Sequence, residues 1–192
     1  MTDADAGSLI IISGPSGAGK TSVVRELLET YPRPLKLSVS ATTRPPRQGE
    51  RDGVDYHFLS DGEFQRRRER GEFLECCEVF GRGHWYGTLR SEVETGRQQG
   101  QSVILEIDVQ GAMKVVQQVP DAISIFIRPG TLAELERRLR GRGTETEDKI
   151  QRRLEVATRE LSHAGEYRYQ IINETIERSV REIAEILMQH GV

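Results

Sequence analysis

With 192 residues, 36% of them hydrophobic and 30% charged, the chain has the size and composition of one core domain with insertions. No apolar run approaches the roughly 20 residues of a membrane span, and the acidic start Met1-Thr2-Asp3-Ala4-Asp5-Ala6-Gly7 lacks the basic and apolar regions of a signal peptide. The net charge of −3 supplies no global basic field for nucleic acid, and the only cysteines, Cys76 and Cys77, are adjacent, which disfavours a disulfide and offers no metal spacing, so a reducing cytoplasm without membrane or nucleic-acid partners is expected.

In chain order, residues 8–13 read as a buried strand and 19–29 as a helix with Val23, Val24, Leu27 and Leu28 at helical spacing. Pro32 and Pro34 break the chain before a short strand over 35–40. Residues 41–50 carry too many polar groups and prolines for a core element. A strand is expected over 55–59. Ser60-Asp61-Gly62-Glu63 then forms a capping box that opens a helix with a solvated Arg66-Arg67-Arg68 run. A strand follows over 72–80, a loop over 81–87 and a helix over 89–99. Buried strands are expected over 102–108 and 122–127, with a helix between them over 109–118. Thr131 and Glu134 open the next helix, a glycine-flanked flap spans Gly141 to Arg153, and a helix covers 144–163. A last strand over 169–173 and a helix carrying Ile176, Val180, Ile183 and Leu187 complete the chain. Buried strands alternating with helices argue an α/β sandwich on a mostly parallel sheet, and the half-polar stretch 38–96 reads as an inserted subdomain.

Between the first strand and helix lies Gly14-Pro15-Ser16-Gly17-Ala18-Gly19-Lys20-Thr21. Strand, glycine-rich turn and helix is the setting in which this pattern cradles phosphates. Backbone N–H groups converge on the anion, Lys20 adds a charge and the Thr21 hydroxyl can ligate Mg²⁺. Asp108 ends a buried strand, where an acid can support that metal. Arg44 and Arg47 sit three apart on a proline-stiffened stretch, suited to grip a second phosphate with a tyrosine hydroxyl. Glu75 lies on an otherwise apolar strand. Its carboxylate matches the N1 and N2 donors of guanine and opposes the N1 acceptor of adenine. Arg142 and Arg153, on the flap, can reach charge on a moving phosphoryl group.

Taken together, these strings resemble the guanylate kinases, members of the nucleoside-monophosphate kinase class. The match runs through the phosphate loop, Ser38-Val39-Ser40-Ala41-Thr42-Thr43-Arg44-Pro45-Pro46-Arg47, Gly53-Val54-Asp55-Tyr56, Phe73-Leu74-Glu75 and Tyr86-Gly87-Thr88. It continues through Ile104-Leu105-Glu106-Ile107-Asp108-Val109-Gln110-Gly111 and Gly141-Arg142-Gly143-Thr144-Glu145-Thr146, in family order over residues 9–188. The resemblance implies a three-layer P-loop kinase fold with a parallel core sheet (9–37, 97–139 and 155–188), a mixed α+β GMP-binding subdomain (38–96) and a lid (140–154). It also implies transfer of the ATP γ-phosphoryl to GMP, and to dGMP, with Mg²⁺. On this reading Arg44, Arg47, Tyr56 and Tyr86 hold the GMP phosphate, while Ser40, Glu75, Thr88 and Asp108 face guanine. Lys20, Arg44, Arg142 and Arg153 serve the transfer, and Asn173 lies near adenine. Asp108 is claimed by both metal and base. The stretch from Glu75 to Tyr86 is slightly longer than the usual pattern, with Trp85 where tyrosine is common and Thr88 where serine is frequent. The same fold also carries non-catalytic binding modules and kinases of other phosphorylated substrates.

Overall fold

The computed structural model describes residues 6–78, 83–141 and 146–192. Its centre is β1 (Leu9–Ser13), all five residues of which are buried. β1 lies between β7 (Ser102–Glu106) and β8 (Ile123–Arg128), with β2 (Leu35–Leu37) and β9 (Tyr169–Ile172) at the edges; every pairing is parallel, in the order β2-β7-β1-β8-β9. Parallel strands need crossovers, and crossover helices cover both faces, which is why β1 reads as an unbroken apolar run.

The two-residue alternation of a strand divides that run between two cores. Ile10 and Ile12 pack with Val23, Val24 and Leu27 of α1 (Lys20–Thr30) and with Val180, Ile183 and Leu187 of α7 (Ile176–Gln189). Leu9 and Ile11 pack with Val93 of α3 (Arg90–Gln98) and with Val109, Ala112 and Val115 of α4 (Val109–Gln118). The result is helix, sheet, helix. Of both expected capping boxes the N-cap half forms: Ser60 Oγ accepts the Glu63 amide at the start of α2 (Asp61–Glu69), and Thr131 Oγ1 accepts the Glu134 amide at the start of α5 (Leu132–Arg140). The Glu63 and Glu134 carboxylates pair with Arg66, Arg67 and Arg138 instead. α6 (Glu147–Leu161) runs unbroken across residue 154 and packs Leu154 and Ala157 on Leu135 and Leu139 of α5.

A second sheet, ordered β4-β3-β6-β5, comprises β3 (Ala41–Thr42), β4 (His57–Phe58), β5 (Phe73–Glu78) and β6 (Trp85–Leu89). Two expectations are corrected here. Residues 41–50 do contribute a buried element, since Ala41 and Thr42 are fully buried in β3. The loop expected over 81–87 instead supplies Trp85, Tyr86 and Gly87 to β6, which pairs antiparallel with β5 (Cys77 opposite Tyr86) and with β3 (Thr42 opposite Tyr86). Residues 79–82 of the expected 72–80 strand and the loop after it lie outside the described residues.

This sheet has a small core of its own, Ala41, Phe64, Phe73 and Leu89, with Phe64 stacked on Phe73 at 4.4 Å between ring centroids. It docks on the main body through β5 and α4: Gln118 Nε2 donates to the Leu74 carbonyl at 3.0 Å, and Lys114 Nζ to the Cys76 carbonyl at 2.6 Å. Phe64 is wholly buried in a core of few members. Phe64→Ala should therefore cost about 3–5 kcal/mol in urea unfolding. A loss under about 1 kcal/mol, the range of an ordinary surface change, would show that this layer does not depend on the ring.

Candidate functional site

Between β1 and α1 the backbone turns through Gly14 (φ 142°), Gly17 (φ 94°) and Gly19 (φ 91°). A Cβ at Gly14 would lie 2.0 Å from the Ile127 carbonyl oxygen of β8, and one at Gly19 would lie 2.4 Å from Asn173 Nδ2. Positive φ and lack of room both exclude other residues. The buried Ala18 anchors the turn: its carbonyl accepts Asn173 Nδ2 at 2.7 Å and Arg138 Nη1 at 3.3 Å. Asn173, expected beside an adenine, is itself buried, and its Oδ1 accepts the Ser179 hydroxyl at 3.0 Å. Its amide is committed to holding the loop.

The loop opens on a cavity of about 330 Å³ lined by Ser16, Gly17, Gly19, Lys20, Thr21, Glu106, Asp108 and Glu160, among others. Lys20 Nζ folds back to donate to the carbonyls of Gly14 (2.7 Å) and Pro15 (3.1 Å). Burial pushes the Lys20 pKa down, opposed by the carboxylates of Glu106, Glu160 and Asp108. The Thr21 hydroxyl donates to Glu106 Oε1 at 2.6 Å. Two hard oxygens side by side suit Mg²⁺. Asp108, the acid expected to support such a metal, does something else: its Oδ1 caps α4 by accepting the Gly111 amide at 2.8 Å, and its Oδ2 accepts the Cys77 thiol at 3.3 Å. The acid bonded to the loop hydroxyl is therefore Glu106. From α6, Arg153 Nη2 donates to Ser16 Oγ at 2.5 Å. Arg142 falls outside the described residues.

The second cluster is built on β3, β4 and β6. Arg44 is largely buried, lying over the Tyr56 ring at 5.4 Å and near Phe58 at 5.9 Å. Its guanidinium forks onto both oxygens of Glu50 at 2.9 Å each, and its Nε donates to the Tyr86 hydroxyl at 3.2 Å. Bidentate pairing raises the Arg44 pKa further and lowers that of Glu50. Tyr56 and Tyr86 meet edge to face at 6.0 Å, and burial raises the Tyr56 pKa. Arg47 is exposed and donates its backbone N–H to Glu50 Oε2 at 2.6 Å. Arg44, Tyr56 and Tyr86 thus come together, with Arg47 at the rim.

A third group lies where β5 meets α4. Glu75 is 6% exposed and accepts the Thr88 hydroxyl at 2.8 Å. It can reach this position because residue 111 lacks a side chain: a Cβ there would lie 2.6 Å from Glu75 Oε2. Burial, with a smaller contribution from the nearby Asp108 charge, pushes the Glu75 carboxyl up to about 7. Ser40 is half-buried, and its carbonyl accepts the His57 amide at 2.9 Å. The acids at the end of β7 and at the α4 cap link the three groups: Glu106 acts on both Lys20 and Tyr56, and Asp108 on both Lys20 and Glu75. Sequence reasoning did not single out Glu50, Glu106, Arg138 or Glu160. Glu106 could have been found as the other acid of the same strand end; the remaining three gave no local signal.

A family model described as guanylate kinase matches residues 6–190. The chain is 54% identical over 186 residues to the guanylate kinase of Rhodopirellula baltica, covering 96% of this chain and 89% of the relative. It is 49% identical over 183 residues to that of Hydrogenovibrio crunogenus, covering 95% and 88%. The crystal structure of guanylate kinase from Anaplasma phagocytophilum superposes with a TM-score of 0.77 at 38% identity, covering 96% of this chain and 86% of that one.

The raised Glu75 pKa has a consequence for stability. In the fold the carboxyl holds its proton up to about pH 7, against an ordinary value of 4.5. The unfolded chain therefore loses that proton first, and wild-type stability falls as pH rises between these two values. Glu75→Gln keeps an acceptor for Thr88 and removes the charge. It should unfold with about 2–3 kcal/mol more stability than wild type at pH 8 and no advantage near pH 4.5. Equal stability at both pH values in urea titrations would show that Glu75 is not held in a charge-averse site.

Proposed function

The chain belongs to the guanylate kinase family, and we propose that it transfers the γ-phosphoryl of ATP to GMP, giving ADP and GDP. The observation that carries this reading is the placement of two unlike polar sites on either side of Glu106 and Asp108. A glycine-turned anion loop with Lys20 lies on one side. On the other lie a buried carboxylate held by Thr88 and the Arg44–Tyr86 cluster. The loop residues Gly14 to Thr21 would take the donor triphosphate. Arg44, Arg47, Tyr56 and Tyr86 would take the acceptor phosphate, and Glu75, Thr88, Asp108 and Ser40 would surround guanine. This gives three parts: a core, a GMP-binding subdomain over 38–96, and a lid over 140–154 that carries Arg142 and Arg153.

In the reaction, an oxygen of the GMP phosphate forms a bond to the γ-phosphorus as the bond to the β–γ bridging oxygen breaks. That bridging oxygen leaves with ADP. The attacking oxygen is already ionised, so no side chain needs to remove a proton. Catalysis is then alignment of two anions and neutralisation of the charge between them. Lys20 would move from the Gly14 and Pro15 carbonyls to the outer phosphates, and Arg153, already at Ser16, would cover the transferring group. Thr21, with Glu106 behind it, would hold Mg²⁺; when bound, that ion neutralises phosphate charge. Closure of the lid would keep water from acting as acceptor. No helix among the described residues is long and apolar enough to cross a membrane. The reaction would belong to purine nucleotide metabolism and GMP recycling in the cytoplasm. The intact loop weighs against a module that only binds.

A coupled assay with Mg-ATP should turn over GMP far faster than AMP, CMP or UMP. Comparable rates with AMP would overturn the guanine assignment. Guanine donors need the ionised form of Glu75, so the KM for GMP should rise as pH falls below about 7. That acid limb should be missing in Glu75→Gln, which should also lose most of its base discrimination.

A further inference from the structure

Residues 44–50 close a small loop on themselves, and Glu50 is the residue that closes it. The Glu50 amide donates to the Arg47 carbonyl at 3.1 Å, across a four-residue turn whose third position, Gly49, has φ 89°. A type II turn requires a positive φ at that place, and glycine supplies it. The turn sends the Glu50 carboxylate back to Arg44, where Oε1 accepts Nη2 and Oε2 accepts Nη1, each at 2.9 Å. The Arg47 backbone amide donates to Oε2 as well, at 2.6 Å. Both side chains of the pair are largely buried, at 11% and 19% exposure. The Arg44 fork, helped by the Arg47 amide, holds the Glu50 pKa below the usual carboxylate value, so the group stands ionised. Arg44 Nε is taken by the Tyr86 oxygen and one N–H of Nη1 by the Pro45 carbonyl at 2.7 Å. Of the guanidinium donors, one Nη2–H is therefore left over among the described residues. Tyr86 accepts from Nε and keeps its own hydroxyl proton to donate.

We propose that Glu50 is a built-in counter-charge of the acceptor clamp: it commits the Arg44 fork inside the protein, so that a phosphate alone is held weakly and an acceptor must also engage Glu75 and Thr88. The proposal rests on reading Arg44, Arg47, Tyr56 and Tyr86 as the acceptor-phosphate clamp. A guanidinium with both Nη groups open grips any phosphate or carboxylate bidentately, whatever that anion is attached to. Here the fork already holds a carboxylate of matching geometry. An incoming phosphate meets one Nη2–H, the Tyr86 hydroxyl and the exposed Arg47, and it meets them beside a standing negative charge. The device discriminates against anions that carry a phosphate and no guanine. On this reading Glu50 touches neither the base nor the transferring group. It is a positioning residue that acts through Arg44.

The test compares GMP with guanosine in calorimetric binding to the full chain, without ATP or metal, at about pH 8, above the range in which Glu75 titrates. The ratio of the guanosine and GMP dissociation constants measures what the phosphate adds. In Glu50→Gln, which keeps an acceptor and loses the charge, that ratio should grow roughly five- to twenty-fold at low ionic strength, with guanosine affinity within about two-fold of wild type. The growth should fall below about two-fold in 1 M KCl, where screening acts over about 3 Å. Glu50→Ala should show the same enlargement; if either variant does not fold, the other decides. A merely structural role for Glu50 would weaken both ligands together and leave the ratio in place. An unchanged or smaller ratio, or an enlargement that salt does not diminish, would overturn the proposal while leaving the clamp reading intact. A wild-type chain that holds GMP no more tightly than guanosine would remove the clamp reading and this inference together.

Discussion

The backbone between Ser13 and Lys20 must turn sharply with little internal hydrogen bonding beyond the Ala18 amide on the Pro15 carbonyl, and the surrounding structure follows from that constraint. Such a turn has no hydrogen-bond ladder of its own, so it is held from outside. Ile127 of β8 presses on Gly14, Leu135 and Leu139 of α5 border Gly17, and Asn173 closes on Gly19. Arg138 then ties Ala18 to the Asn173 carbonyl. Elements far apart in sequence are thereby fixed around six residues. The parallel sheet makes this possible, because β1, β8 and β9 run in one direction and present their carboxyl ends to the same loop.

Two of the described cations in the cleft, Arg44 and Lys20, already have a carboxylate partner or neighbour. Arg44 is paired with Glu50, and Glu106, Asp108 and Glu160 oppose the lowering of the Lys20 pKa. Buried cations without partners would be costly, and these acids make the cluster compatible with a folded, ligand-free protein. Where a carboxylate is isolated instead, as at Glu75, burial drives it toward the neutral form. The same side chain that weakens the fold at high pH is the one whose charge a guanine would use, a local conflict of the kind found at binding sites.

Much of the core was legible because each of its elements carries its own signal. β1, β7 and β8 are apolar runs, the caps at Ser60 and Thr131 are local, and the glycine turn is a fixed string. The second sheet was harder to read. β3 has two residues, and β6, Trp85-Tyr86-Gly87-Thr88-Leu89, follows a glycine-rich stretch. β6 is a strand because β5 and β3 pair with it on both sides, which no window of sequence contains. The site divides the same way. The loop, Arg44 and Glu75 could be named from residue chemistry. Glu106 meets Thr21 across 85 positions, and Arg153 meets Ser16 across 137. Asp108 drew attention as a strand-end acid, yet its oxygens are taken up by α4 and Cys77.

The fork of Arg44 on Glu50 also bears on how ligands arrive. Nε and Nη1 are engaged by Tyr86, Pro45 and Glu50, and Nη2 by Glu50 as well, so the pair behaves as a nearly neutral, rigid unit with one N–H to spare. A neutral unit exerts little pull at a distance, and the chain as a whole is acidic. Anions reaching this side of the cleft are therefore not drawn in by a long-range field. They meet it by diffusion and are sorted by how long they stay, so selectivity here resides in dissociation rather than in encounter.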